Sequence, residues 1–172
     1  MMKKTYLIPA VIALAMLLPF GRTAKSADDK YARDFFTRCA EWSYGQIELS
    51  NLTKSSDSSP AVKTYAASQV SAYSKILDEV KATAKEKGYT IPKTMGSKER
   101  DTFEHLQKWK GREFDARYMK DQIDEQKALL ELFEGGTKNF GDAKDRDWAG
   151  VWHKNIRDRY DDAVALYEKV KM

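Results

Sequence analysis

The sequence predicts an all-α protein, an up-and-down bundle of four long helices with one short helix between the second and third. Three observations carry that expectation. Every apolar stripe in the chain repeats at three- and four-residue steps, as on a helix with one buried face. No segment alternates apolar and polar residues with the period of two that a half-buried strand requires. The breaks between stripes hold residues that start or end helices: Ser59-Pro60, Gly88, Gly111, Gly135-Gly136 and Asp142. At 172 residues, 42% of them hydrophobic, the chain can build the core of one domain.

Met1 to Ser26 reads as a secretory signal, which leaves residues 27–172 as the bundle domain. Lys3-Lys4 precedes an apolar run from Tyr6 to Phe20, and small residues at Ala24 and Ser26 suit a cleavage site. The alternative is an uncleaved membrane anchor, but the run is interrupted by Pro9, ended by Pro19 and falls short of the roughly 20 residues a spanning helix needs. The expected compartment is the periplasm or the exterior. The +4 net charge comes from this segment, since Lys3, Lys4, Arg22 and Lys25 face no acid within it, and the rest of the chain balances. No clustered basic face remains for nucleic acid.

The first helix is expected from Asp28 to about Thr53, with Ala32, Phe35, Phe36, Cys39, Ala40 and Ile47 inward. Cys39, the only cysteine, excludes an internal disulfide and reads as a buried, inert thiol. Ser59-Pro60 starts the second helix, which carries Val62, Ala66, Val70, Ile76, Leu77, Val80 and Ala84 to an ending at Lys87-Gly88. Ser97 is expected to cap the short helix, which carries Phe103, Leu106 and Trp109. Phe114 to Glu134 forms the next wall, stopped by Gly135-Gly136. Asp142 caps the last helix, with a stripe of Trp148, Trp152, Ile156, Tyr160, Ala163, Tyr167 and Val170.

Several polar residues interrupt these stripes. Gln122 and Gln126 fall in the middle of the apolar side of the third long helix, Gln46 within that of the first, Gln69 and Tyr73 within that of the second, and Arg159 within that of the last. A buried amide without a partner costs roughly 1–3 kcal/mol, so Gln122 and Gln126 should meet polar groups from neighbouring helices. The spacing predicts an interior polar layer of Gln46, Tyr73, Gln122, Gln126 and Arg159, with Glu125 on the flank to balance the guanidinium.

The segments Gln46-Ile-Glu-Leu-Ser-Asn-Leu52, Ser59-Pro-Ala-Val-Lys63, Gly88-Tyr-Thr-Ile-Pro92 and Phe114-Asp-Ala-Arg-Tyr-Met-Lys120 resemble, in order and spacing, the bacterial domain-of-unknown-function family numbered 4142. The similarity runs from about Phe35 to Val170. It implies a secreted, ferritin-like four-helix domain whose biochemical role is not established. Members resembling this chain commonly carry histidine at the positions of Tyr73, Gln126 and Arg159, and glutamate at Gln46. The resemblance therefore implies that a metal or proton-relay cluster has here become amides, a phenol and a fixed cation.

The remaining chemistry is sparse. Di-iron bundles take Glu-x-x-His from two of their helices, but His105 follows Thr102 and His153 follows Gly150 at that spacing. Asp101 and His105 form at most a weak surface pair, and paired acids such as Asp161-Asp162 read as solvated surface. No nucleophile stands beside a suitable base, so no catalytic residue, metal ligand or cofactor is assigned. The aromatic residues, including Trp42, Trp109, Trp148 and Trp152, are expected chiefly as core, with an apolar groove as the competing reading. The function these observations favour is non-catalytic binding or an envelope-associated role, the partner being a protein or a small apolar ligand. The alternative is a ferritin-like metal or redox protein.

Overall fold

The computed structural model describes the backbone of residues 20–171 and the side chains of residues 27–171. The apolar run expected of an export signal lies outside the described residues except for its last residue, Phe20. Among these residues the protein is all helix, with no strand. Helix α1 spans Phe20–Asn51, α2 Pro60–Lys87, α3 Ser97–Leu106, α4 Gly111–Asn139 and α5 Ala143–Val170, with a 3-10 turn at Leu52–Lys54. No described helix is long and apolar enough to cross a membrane.

The local signals act at most of the expected boundaries. The Ser59 side chain accepts from the Val62 N–H with Pro60 in the first turn, and Gly88 closes α2 in the left-handed conformation at φ 71°. Asp142 caps α5 by accepting from the Lys144 N–H at 2.9 Å. Three expectations need correction. The first helix begins at Phe20, upstream of Asp28. Gly96, without a side-chain cap bond, stands at the start of α3 where Ser97 was expected.

The third correction concerns Gly135-Gly136, which does not stop α4; the helix continues to Asn139. These glycines serve packing. A Cβ at Gly136 would stand 2.9 Å from Ala149 Cβ and 3.0 Å from a Phe35 ring carbon, so the missing side chain lets α5 and α1 approach α4. A glycine in a helix costs about 1 kcal/mol relative to alanine, which close packing on both sides offsets.

The long helices do not simply alternate in direction. The starts of α2 and α4 lie together, since the Gly111 N–H donates to the Ser56 carbonyl at 2.6 Å and Asp115 accepts from the Ser59 N–H at 2.9 Å. At the other end, Lys87 at the close of α2 pairs with Asp142 and Asp145 at the start of α5, each at 3.0 Å. Helices α2 and α4 therefore run parallel, and the up-and-down order expected from the sequence gives way to one with a long return. Residues 88–110 make that return with α3 laid on α1, where Glu99 covers Gly45.

The core has two parts. One gathers Phe35, Phe36, Cys39, Ile76, Val80, Leu129, Phe133, Phe140, Trp152 and Ile156; the other gathers Leu49, Val62, Ala66, Leu106, Phe114, Tyr118, Met119 and Ala163. Each draws on all four long helices.

Candidate interior polar site

Between the two apolar clusters, each long helix presents a polar residue. On α1 Gln46 falls between Trp42 and Leu49, and on α2 Gln69 falls between Ala66 and Tyr73. On α4 Gln122 and Gln126 fall between Met119 and Leu129, and on α5 Arg159 falls between Ile156 and Ala163. Gln46, Gln69, Gln122 and Gln126 are fully buried, and Tyr73 nearly so.

The amides pair across helices. Gln122 Nε2 donates to Gln46 Oε1 at 2.9 Å, joining α4 to α1. One turn along α4, Gln126 Nε2 donates to Gln69 Oε1 at 3.1 Å, and Gln126 Oε1 accepts from the Tyr73 hydroxyl at 3.0 Å. Gln126 is thus the hub, tied twice to α2. The remaining polar atoms Gln46 Nε2, Gln69 Nε2 and Gln122 Oε1 make no hydrogen bond to another protein group.

The layer forms in part as the spacing predicts and departs from it at two residues. Arg159 is half-buried, and its guanidinium donates to the Ser68 carbonyl at 3.3 Å rather than to the amides or Tyr73. Glu125 does not balance Arg159. It turns to the opposite side, where Oε2 accepts from the Trp42 indole N–H and Oε1 pairs with Lys98 at 2.7 Å. Helical spacing gives the face of a residue but not which neighbouring helix reaches it, and α3 supplies the cation. Gln69 was visible as a polar interruption in the α2 stripe; its omission from the expected layer left Gln126 without its second partner.

Electrostatics keeps the layer neutral. Burial pushes the Tyr73 phenol well above its ordinary pKa, with the Arg159 charge only partly offsetting it. Burial does the same to Tyr65 and Tyr118. These phenols stay protonated at physiological pH, and Tyr73 acts as a donor rather than a phenolate ligand. Neutral amides and phenols are poor ligands for iron, manganese or zinc, which prefer imidazole, thiolate or carboxylate. The residues present therefore do not fit the metal cluster that a ferritin-like fold would imply. Among the described residues no three His, Cys, Asp or Glu side chains gather to hold a metal ion.

Other candidate groups are also accounted for. Cys39 is buried, and burial drives its thiol well above the usual range, so it is not a nucleophile. The tryptophans mostly serve packing and polar ties: Trp42 and Trp152 are buried, and the Trp148 and Trp152 indoles both donate to Glu79, at 2.8 and 2.7 Å. Arg117 lies 3.7 Å over the Trp109 ring. Among the described residues Val151, 62% exposed, is the only large hydrophobic side chain left open.

A family model described as a domain of unknown function (DUF4142) matches residues 19–166. No curated protein and no solved structure matches the chain.

Proposed function

The chain belongs to the DUF4142 family over nearly its whole length, and from that premise and its neutral interior we propose that it is an exported, non-catalytic bundle with an envelope-associated binding role. Its architecture is read as a ferritin-like four-helix bundle with a single long crossover, the connection such bundles use where two successive long helices run parallel. The amide layer carries the functional reading. A row of buried glutamines between two apolar clusters fixes which helix faces meet, because slipping one helix by a turn would leave several amides unpaired. That role is register and specificity rather than chemistry.

Binding then falls to the outer surface. With the large apolar side chains turned inward, a polar or charged partner suits this exterior better than the small apolar ligand the sequence left open. Export rests on the Lys-Lys, apolar and small-residue regions of residues 1–26.

Two measurements on one preparation test the reading. Protein purified from the envelope fraction without chelator should begin near Ala27 by intact mass and hold no stoichiometric iron, manganese or zinc. One bound metal per chain, lost on Gln126→Leu or Tyr73→Phe, would overturn the reading in favour of a ferritin-like metal protein.

A further inference from the structure

Away from the amide layer, a cleft of about 290 Å³ opens where α3 lies on α1, lined by Arg38, Glu41, Trp42, Lys98, Glu99 and Ala128, with Gly96 at its edge. Glu99 is only 8% exposed, and among the described residues its carboxylate takes no ion pair and no hydrogen bond from another side chain, its own backbone N–H being the donor it meets. Glycines on both elements make room for it. A Cβ at Gly45 would collide with Glu99 Cγ, and one at Gly96 would stand 2.6 Å from Glu99 Oε2. The same point at Gly96 lies 3.5 Å from Glu41 Cδ, so the two carboxyl groups converge there.

The local charges do not cancel. Lys98 is committed to Glu125 at 2.7 Å, which leaves Arg38 against Glu41 and Glu99, a net charge of −1 at the cleft. Covering a carboxylate that no cation pairs directly disfavours its charged form, and a cation in the cleft would offset that cost. Trp42 supplies the other half of a recognition surface. Its ring already draws Lys98 to 5.5 Å and Arg38 to 6.0 Å, within the range of cation–π attraction.

We propose that this cleft is a binding site for an alkylammonium group, held by the converging carboxylates of Glu41 and Glu99 with its carbon chain against Trp42 and Ala128. Two carboxylates are too few for calcium, which takes six to eight oxygens, whereas one ammonium balances the one excess charge. The volume admits several carbon atoms behind the nitrogen. The site is independent of the amide layer and of any metal content.

Binding requires Glu99 to be ionised. Burial raises its pKa most, and Glu125 of α4 and Glu41 of α1 raise it further, while Lys98 on its own helix pulls it down. Arg38 of α1 also faces the cleft. Protonation of Glu99 competes with the ligand, so affinity falls as the pH is lowered.

The test titrates the full chain with n-butylammonium chloride at neutral pH and constant ionic strength, following the Trp42 indole N–H resonance. Sodium chloride and calcium chloride serve as separate arms. A saturating shift with butylammonium alone is expected, weakened at least tenfold by Glu99→Gln and by Glu41→Gln and unchanged by the distant Glu113→Gln. If Glu99→Gln does not fold, Glu41→Gln on α1 decides the matter alone. The proposal fails if butylammonium moves the resonance no further than sodium, if calcium shifts it and butylammonium does not, or if the folded variants bind as the parent does.

Discussion

The two ends of the core, on either side of the amide layer, are built differently. At the Phe35 end, aromatic rings meet mostly edge to face: Phe35 packs on Phe36, Phe133, Phe140 and Trp148 with centroids 4.7 to 6.1 Å apart. At the Phe114 end the rings carry hydroxyls. Phe114 stacks on Tyr118 at 5.6 Å, Tyr118 shares a 2.9 Å hydrogen bond with Ser50, and Tyr65 stands edge-on to Tyr118. At the first end the hydrogen bonds beside the ring packing come from the Trp42, Trp148 and Trp152 indoles, while at the other a phenol hydroxyl bonds inside the cluster. Tolerance to substitution should therefore differ in kind between them.

The largest effect is expected where rings interlock. Phe35→Ala should cost about 3–5 kcal/mol, with Phe114→Ala in the lower part of that range, because each aromatic pair adds about 0.5–1.5 kcal/mol beyond burial. Urea denaturation reads both. Equal losses would erase the contrast, and a loss below about 1 kcal/mol at Phe114 would contradict its burial.

Next comes the layer that divides the two ends. Gln126→Leu strands the Tyr73 hydroxyl and Gln69 Oε1 and should cost at least about 1–3 kcal/mol. Gln122→Leu should cost a similar amount by stranding Gln46, yet the double change Gln46→Leu with Gln122→Leu should recover most of that loss, since no buried polar partner remains. A double variant less stable than either single would show that the layer contributes net stability as well as register.

At the hydroxyl-bearing end, Tyr118→Phe should cost about 0.5–1.5 kcal/mol through the lost bond to Ser50, a loss without counterpart among the phenylalanines opposite. The smallest effect is a pH dependence. Asp121, beside that end on α4, has its pKa raised from 3.8 to about 6 by burial and by Asp124 and Glu125, with His105 opposing. A raised acid stabilises the fold fully below its unfolded value and loses that contribution as pH climbs through about 6. Stability should therefore decline modestly between about pH 4 and 6, and Asp121→Asn should flatten that slope in denaturant midpoints taken across it.

Much of this molecule is written locally. The starts and stops at Ser59-Pro60, Gly88 and Asp142 act within a few residues, and a 3.6-residue period assigns each side chain to a face, so the helices and the inward glutamines are legible before any packing is known. Partners are not legible in that way. Trp42 and Glu125 are 83 residues apart, and nothing near either says that α3 will bring Lys98 between α1 and α4. The sequence signal for Gly135-Gly136 is a helix stop, because glycine weakens a helix considered alone; only the approach of Ala149 and Phe35 makes Gly136 worth keeping helical. Face and boundary depend on short-range backbone energetics, which the sequence alone determined. The parallel run of α2 and α4, the partner of Glu125 and the place of Arg159 depend on how whole helices dock, which only the tertiary structure decided.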